Sequence, residues 1–218
     1  MTAHVWYAAY GSNVCRDRFL RYLQGGTVAG RTAPQSHRGA RDREPPSDDR
    51  PFRLPLPLFF AGSSRSWNGG AVAFVDPEPA PDAPGARGRI WRVTRRQFDD
   101  VFRQENGLDV PKADDPTLVV DWSRLAEGSH LDVTDRWYGR VIHLGSGPDG
   151  APVATFTTAD ANRLPTGPAA DAYLRTIGTG LAESWGDDPG TAAAYLAACP
   201  GNAGALTASD VTAWLTAP

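Results

Sequence analysis

The sequence predicts a mixed α+β protein. Short runs of β-branched and aromatic residues read as strands, helical spacings of three and four fall between them, and 218 residues suit one hydrophobic core. Two domains of this total length would each be thin. The expected organisation is therefore a single domain over 1–218, with a surface excursion at 31–53 and a short helical extension at 187–218.

The formal charge is −3 and Lys112 is the one lysine, so arginine carries nearly all the positive charge. No basic face emerges, and nucleic acid is not an expected partner. Cys15 and Cys199 lie too far apart in the chain to form a disulfide framework and read as reduced thiols. Met1-Thr2-Ala3-His4 lacks the basic-then-apolar run of a signal peptide, and no apolar stretch reaches bilayer length. A soluble cytoplasmic protein without membrane partners is the expectation. His4, His37, His130 and His143 show no ligand spacing and there is no Cys-x-x-Cys pair, so no metal site is expected.

The first element organises the rest. Val5, Trp6 and Tyr7 are strand-type residues, and Ala8 and Ala9 permit close packing. Gly11 then allows a turn through dihedrals closed to other residues, and Ser12 or Asn13 can cap a helix marked by Phe19, Leu20 and Leu23. Such a turn leaves amide hydrogens pointing at one spot, with the positive helix end behind them. A carboxylate or oxyanion fits there. Residues 31–53 mix both charges with Pro34, Pro45, Pro46 and Pro51 and read as surface, with a lid over the site as the alternative. Pro55 and Pro57 confine 52–61 to a sheet edge or an extended segment. Residues 69–75 resume a strand, with Trp67 and the Gly69-Gly70 pair at its mouth, where backbone could approach a ligand or form a bulge.

After a strand at 88–93, Thr94 and Gln97 form a capping-box pattern. The helix that follows places Phe98, Val101 and Phe102 on one face, and the next position on that face is Glu105. A carboxylate in an apolar register costs several kcal/mol to bury unless paired or protonated. Burial raises its pKa and suits it to proton transfer; fraying near Gly107, or pairing with an arginine, is the plain alternative.

Residues 117–122 suggest a strand between acidic loops, and 138–144 and 153–158 read as a hairpin pair. The intervening Gly145-Ser146-Gly147-Pro148-Asp149-Gly150 has dinucleotide-fingerprint spacing but joins two strands, so it reads as a turn. Tyr173, Leu174, Ile177 and Leu181 form the stripe of a helix that begins at Pro168 and ends near Gly186; core packing accounts for that stripe. Short helices follow at 191–198 and 207–215, the second capped by Thr207 or Ser209.

Tyr10-Gly11-Ser12-Asn13 behind the first strand resembles a motif of the gamma-glutamylcyclotransferase family. Trp67-Asn68-Gly69-Gly70, Gln104-Glu105, Tyr173-Leu174-Arg175-Thr176-Ile177 and the stretch from Gly180 to Glu183 are similar to its later segments. The resemblance implies a small mixed β-barrel with helices packed outside. It also implies cofactor-independent release of an amine from a small gamma-glutamyl amide, with closure of 5-oxoproline. On that basis Gly11, Ser12 and Asn13 contact the substrate carboxylate, Tyr10 shapes the pocket and Glu105 moves the proton, while Tyr7, Trp67, Gly70 and Tyr138 are candidate wall residues. Monomer or homodimer is open. Val14 in place of a larger apolar residue, and the absence of a tyrosine between Glu105 and Trp122, depart from the family pattern and leave the amine open. Two other readings are a carboxylate-binding protein without turnover and an amide hydrolase using Cys15, whose thiol near a helix start would be activated by His4 or His143.

Overall fold

The computed structural model describes residues 3–27, 36–78, 83–125 and 129–217. In chain order they form β1 (His4–Ala9), a 3-10 turn (Ser12–Val14), α1 (Arg16–Gln24), β2 (Gly26–Thr27), β3 (Ser36–His37), β4 (Asp48–Arg53), β5 (Leu58–Ala61) and β6 (Val72–Val75). There follow β7 (Arg87–Thr94), α2 (Arg95–Glu105), β8 (His130–Asp132), β9 (Arg140–Ser146), β10 (Pro152–Thr157), α3 (Asp171–Trp185), α4 (Pro189–Ala198) and α5 (Ala208–Thr216). The class is mixed α+β, as the sequence predicts. No described helix is long and apolar enough to cross a membrane.

The chain gathers into two compact units, one from Met1–Ala8, Phe19–Arg50 and Ile90–Ala159, the other from Ala9–Arg18, Pro51–Arg89 and Asp160–Pro218. Most of a six-stranded sheet lies in the first, in the order β4-β7-β1-β10-β9-β8. β1 runs parallel to β10, with Trp6 opposite Val153, and β9 is antiparallel to both β10 and β8. The hydrogen-bonded order ends at β4 and β8, with no closing ladder among the described residues. Pro51 sits in β4 at one end of that order, where a missing amide donor is tolerated.

Aromatic rings fill the interior of this unit. Tyr7 stacks on Phe156 at 5.1 Å and meets Phe98 edge-on, and Phe19 stacks on Trp91. The β9–β10 connection is the expected hairpin, and its composition has a packing cause. A Cβ at Gly147 would lie 2.3 Å from Cδ1 of Trp6, and the Trp6 indole donates to Asp149 at 2.7 Å. Arg92 donates to the other oxygen of Asp149, also at 2.7 Å. These two donors hold the Asp149 carboxyl well below its ordinary value of 3.8.

Helix α2 starts with the predicted capping box: Thr94 accepts from the Gln97 amide, and the Gln97 side chain accepts from the Thr94 amide. Amphipathic spacing leaves Asp99 and Asp100 on the side away from Phe98, yet both are fully buried. The described part of the excursion, from residue 36 onward, covers them. Arg41, its side chain wholly buried, reaches Asp100 at 2.8 Å and Asp99 at 3.2 Å and donates to the carbonyls of Asp115 and Thr117. Arg103 completes the pairing of Asp99. The other oxygen of Asp99 accepts from the amides of Val119 and Val120, and residues 117–122 form no strand because those amides are taken by a side chain. The part of the excursion from residue 36 onward is thus anchored by β3, β4 and a buried cation; residues 28–35 lie outside the described set.

The second unit contains the β5–β6 pair, with Leu58 opposite Val75, and the three C-terminal helices. Gly186 ends α3 at a φ of +69°, Asp188 caps α4, and Thr207 with Asp210 forms the capping box of α5.

Two outcomes test this account. R41A removes the cation from buried Asp100 and one of the two cations from buried Asp99, and should cost about 3–5 kcal/mol in denaturant unfolding, more than a surface arginine would. Because the Asp149 carboxyl is depressed in the folded state, it stabilises the fold above its unfolded value near 3.8, and that contribution fades as pH falls toward the lower folded value. D149N should therefore flatten the acid limb of a melting-temperature profile and lower the plateau at neutral pH.

Candidate functional site

The Tyr10-Gly11-Ser12-Asn13 turn belongs to the second unit, where β1 ends and the chain tightens into a 3-10 turn. The Val14 amide donates to the Gly11 carbonyl at 3.0 Å and the Cys15 amide to that of Ser12 at 3.2 Å. Ser12, Asn13 and Val14 are all buried. Gly11 has a φ of −103°, on the side of the map open to other residues, so the expected dihedral requirement does not apply. The requirement is room: a Cβ there would stand 2.8 Å from the hydroxyl of Tyr173 and 3.2 Å from Cβ of Ala73. That hydroxyl also accepts from the Ala73 amide at 3.1 Å, so Tyr173 locks β6 as well as crowding the turn.

The same helix, α3, presses on the turn again two turns after Tyr173. At Gly180 an added Cβ would lie 2.4 Å from the Cys15 nitrogen and 2.5 Å from the Val14 carbonyl carbon. One turn further on, a Glu183 oxygen accepts from the Arg16 amide at 2.9 Å and from Arg89 at 2.8 Å, while Arg89 also donates to the Val14 carbonyl at 3.3 Å. The start of α1 therefore already has an anion, supplied by the protein. Ser12 and Asn13 do not cap α1, since extended Cys15 separates them from it. The arrangement can hold the Gly11–Val14 backbone rigidly, which is what recognition of an anion by amide hydrogens requires.

Trp67 is buried, meets Tyr173 edge-on at 4.6 Å and carries the Arg18 guanidinium 5.6 Å from its ring centre. Gly70 has a different reason from the ligand approach expected: its Cβ would lie 2.6 Å from the Ala170 nitrogen, so the close neighbour is protein backbone. Cys15 is buried, and that burial, followed by the Glu183 charge among the raising influences, pushes its thiol above the ordinary 9.0. The activated thiol of the hydrolase reading is therefore absent, because burial outweighs the hydrogen bonds that favour thiolate. Tyr173, Arg89 and Arg18 escaped assignment from sequence. A tyrosine in an otherwise aliphatic stripe was the available sign for the first; the arginines gave none.

The remaining candidates lie in the first unit. Glu105 is the last residue of α2 and is half-buried, less enclosed than its register with Phe98, Val101 and Phe102 predicts, because the helix ends there. The residue after it does the anchoring. The Asn106 side chain donates to the carbonyls of Phe102 and Tyr138 and accepts from the Tyr138 amide. Gln104 donates to the Tyr22 carbonyl at 2.9 Å. Tyr7 and Tyr138 both pack on Phe156, Tyr7 stacked within the core and Tyr138 edge-on at 6.2 Å. Among the described residues no cluster of His, Cys, Asp and Glu could hold a metal ion.

The architecture is similar to a solved gamma-glutamyl cyclotransferase, at a TM-score of 0.51 and 14% identity over 96% of this chain and 98% of that one. The protein thus has the gamma-glutamyl cyclotransferase fold. An uncharacterized protein from Homo sapiens is similar at a TM-score of 0.45 and 16% identity, over 83% of this chain and 80% of that one. In sequence the chain is 36% identical over 203 residues, 88% of its length, to histone deacetylase 5 of Arabidopsis thaliana. It spans 30% of the length of that relative. No family model matches the chain.

One substitution tests how the turn is held. G180A forces a methyl group against the backbone at Val14 and Cys15 and should cost about 1–3 kcal/mol, lowering the melting temperature by several degrees. An unchanged melting temperature would mean that α3 does not press on the turn.

Proposed function

We propose that the protein releases an amine from a small gamma-glutamyl amide by intramolecular aminolysis, forming 5-oxoproline. The observation that carries the reading is a Tyr10–Asn13 turn packed on glycine contacts within a fold that a gamma-glutamyl cyclotransferase shares. In this reading the amides of Gly11, Ser12 and Asn13 receive the substrate α-carboxylate, with Tyr10 and Trp67 as wall, and Glu105 is the general base and acid.

Glu105 takes a proton from the substrate α-ammonium. The freed amine attacks the γ-amide carbonyl, a carbon–nitrogen bond forms, and the oxygen gathers negative charge. Glu105 gives the first proton to the nitrogen of the scissile amide and takes the second from the attacking nitrogen, so that the original amide bond breaks as the lactam keeps one hydrogen; the second proton then passes to the released amine, which leaves as an ammonium. No water is consumed and no cofactor enters. Both reacting groups reside on one molecule, so the protein contributes folding of the substrate, proton movement and charge stabilisation. Neither the leaving amine nor the deacetylase activity in the name of the plant relative follows from this chemistry.

E105Q keeps the size of the side chain and loses the base. It should reduce 5-oxoproline release from a panel of gamma-glutamyl amines, read by mass spectrometry, by about 100-fold or more, with no loss of melting temperature. Full turnover in E105Q would remove Glu105 from the mechanism. Wild-type protein that binds the panel without releasing 5-oxoproline would instead leave a carboxylate-binding protein.

A further inference from the structure

A polar cavity lies wholly within the first unit, bordered by the start of α2, the loop before β8 and the β9–β10 hairpin. Its volume is about 240 Å³, and its lining includes Arg95, Trp122, His143 and Ser146. The Arg95 guanidinium lies 4.9 Å from the centre of the Trp122 ring, whose position is fixed by edge-on contact with Phe98 at 5.2 Å. Arg95 forms no ion pair among the described residues. Its neighbour Arg96, by contrast, donates to the carbonyls of Ala113 and Asp115.

Four buried polar atoms around this cavity have no hydrogen-bond partner among the described residues: Nε of Arg95, Nε1 of Trp122, and both Nδ1 and Nε2 of His143. Buried polar atoms are nearly always paired, so four unpaired ones gathered at one cavity call for an occupant. The first two are obligate donors and the imidazole carries at least one more. Among the described residues no carboxylate lines the cavity; Asp121 lines a neighbouring cavity that shares Arg95 and Trp122, and it accepts from Ser123. What satisfies this set is a group rich in acceptors and negatively charged. The cavity is below the range of about 300–1,000 Å³ typical of sites for drug-sized ligands, so the occupant is small. Donors approach from three separate elements, which two carboxylate oxygens in one plane serve poorly and the four corners of a tetrahedral anion serve well.

We propose that Arg95, Trp122 and His143 form a binding site for a small tetrahedral oxyanion of the phosphate class, separate from the residues assigned to amide cleavage. Rotation of the His143 ring presents one of its nitrogens to the anion, and the stacked guanidinium supplies the charge.

The probe is inorganic phosphate, titrated into the full chain at constant ionic strength with chloride as the balancing salt. The melting temperature should rise and saturate with half-effect at about millimolar concentration or below, and the indole N–H resonance of Trp122, assigned by its loss in W122F, should move along the same curve. R95Q and H143Q, each checked for an unaltered fold without phosphate, should weaken binding about tenfold or more. Sulfate should compete. A phosphomonoester that binds more tightly than phosphate would point to a phosphorylated metabolite as the source, and equal affinity to the free ion. A response shared equally by chloride, a stationary Trp122 resonance, or R95Q and H143Q binding phosphate as the wild type does would each overturn the site. None of these readouts depends on turnover of a gamma-glutamyl amide.

Discussion

The second unit depends on the close approach of α3 to the turn that follows β1. Gly180 leaves no space between the helix and the backbone at Val14 and Cys15, and Glu183, one turn later, meets the first amide of α1 and the buried Arg89. Arg89 closes the arrangement by donating to the Val14 carbonyl. Backbone, cation and carboxylate are thereby tied together, and the Gly11–Val14 segment inherits its conformation from them. A loop held only by its own hydrogen bonds would be free to adopt several conformations; one pressed by α3 at two points, Tyr173 against Gly11 and Gly180 against Val14 and Cys15, is not.

The first unit solves a related problem with charge. Helix α2 must be enclosed on both faces to bring its last turn to a defined place, but one face carries two adjacent aspartates. Arg41 and Arg103 neutralise them, and the remaining lone pairs accept backbone amides from the loop at 119–120. A buried network of this kind contributes little net stability compared with apolar residues of similar size. Its consequence is positional: it fastens the excursion and the loop to the same turn of helix. Asn106 does the same at the other end by clasping the backbone of Tyr138.

Much of this was legible beforehand, and what was missed has a pattern. The Thr94–Gln97 capping box, the Gly186 terminus, the hairpin at 145–150 and the succession of strand, turn and helix at the start all follow from local chemistry, although Ser12 and Asn13 do not cap that first helix. Strand β4 is hidden in the sequence by Pro51 and its charges, which suit an edge position. The supposed strand at 117–122 fails because Asp99, far away in sequence, claims its amides. Gly11 and Gly70 were singled out correctly as positions where only glycine fits, but for reasons of backbone torsion and ligand approach that do not apply. Their neighbours are Tyr173 and Ala170.

By itself the sequence determined the ends that local chemistry sets, such as the starts at Thr94 and Thr207 and the end at Gly186, since caps, glycine termini and turn residues act within a few positions of themselves. It determined equally that Gly11, Ser12 and Asn13 follow the first strand and that Glu105 stands at the end of α2, because those are properties of residue type and of position in an element. Tertiary structure alone decided what surrounds them. Whether a thiol is activated or suppressed, whether an aspartate faces water or arginine, and whether a helix start is vacant or filled by Glu183 depend on groups brought close in space from distant parts of the chain. Desolvation and Coulomb energies follow that proximity, and no local pattern encodes it.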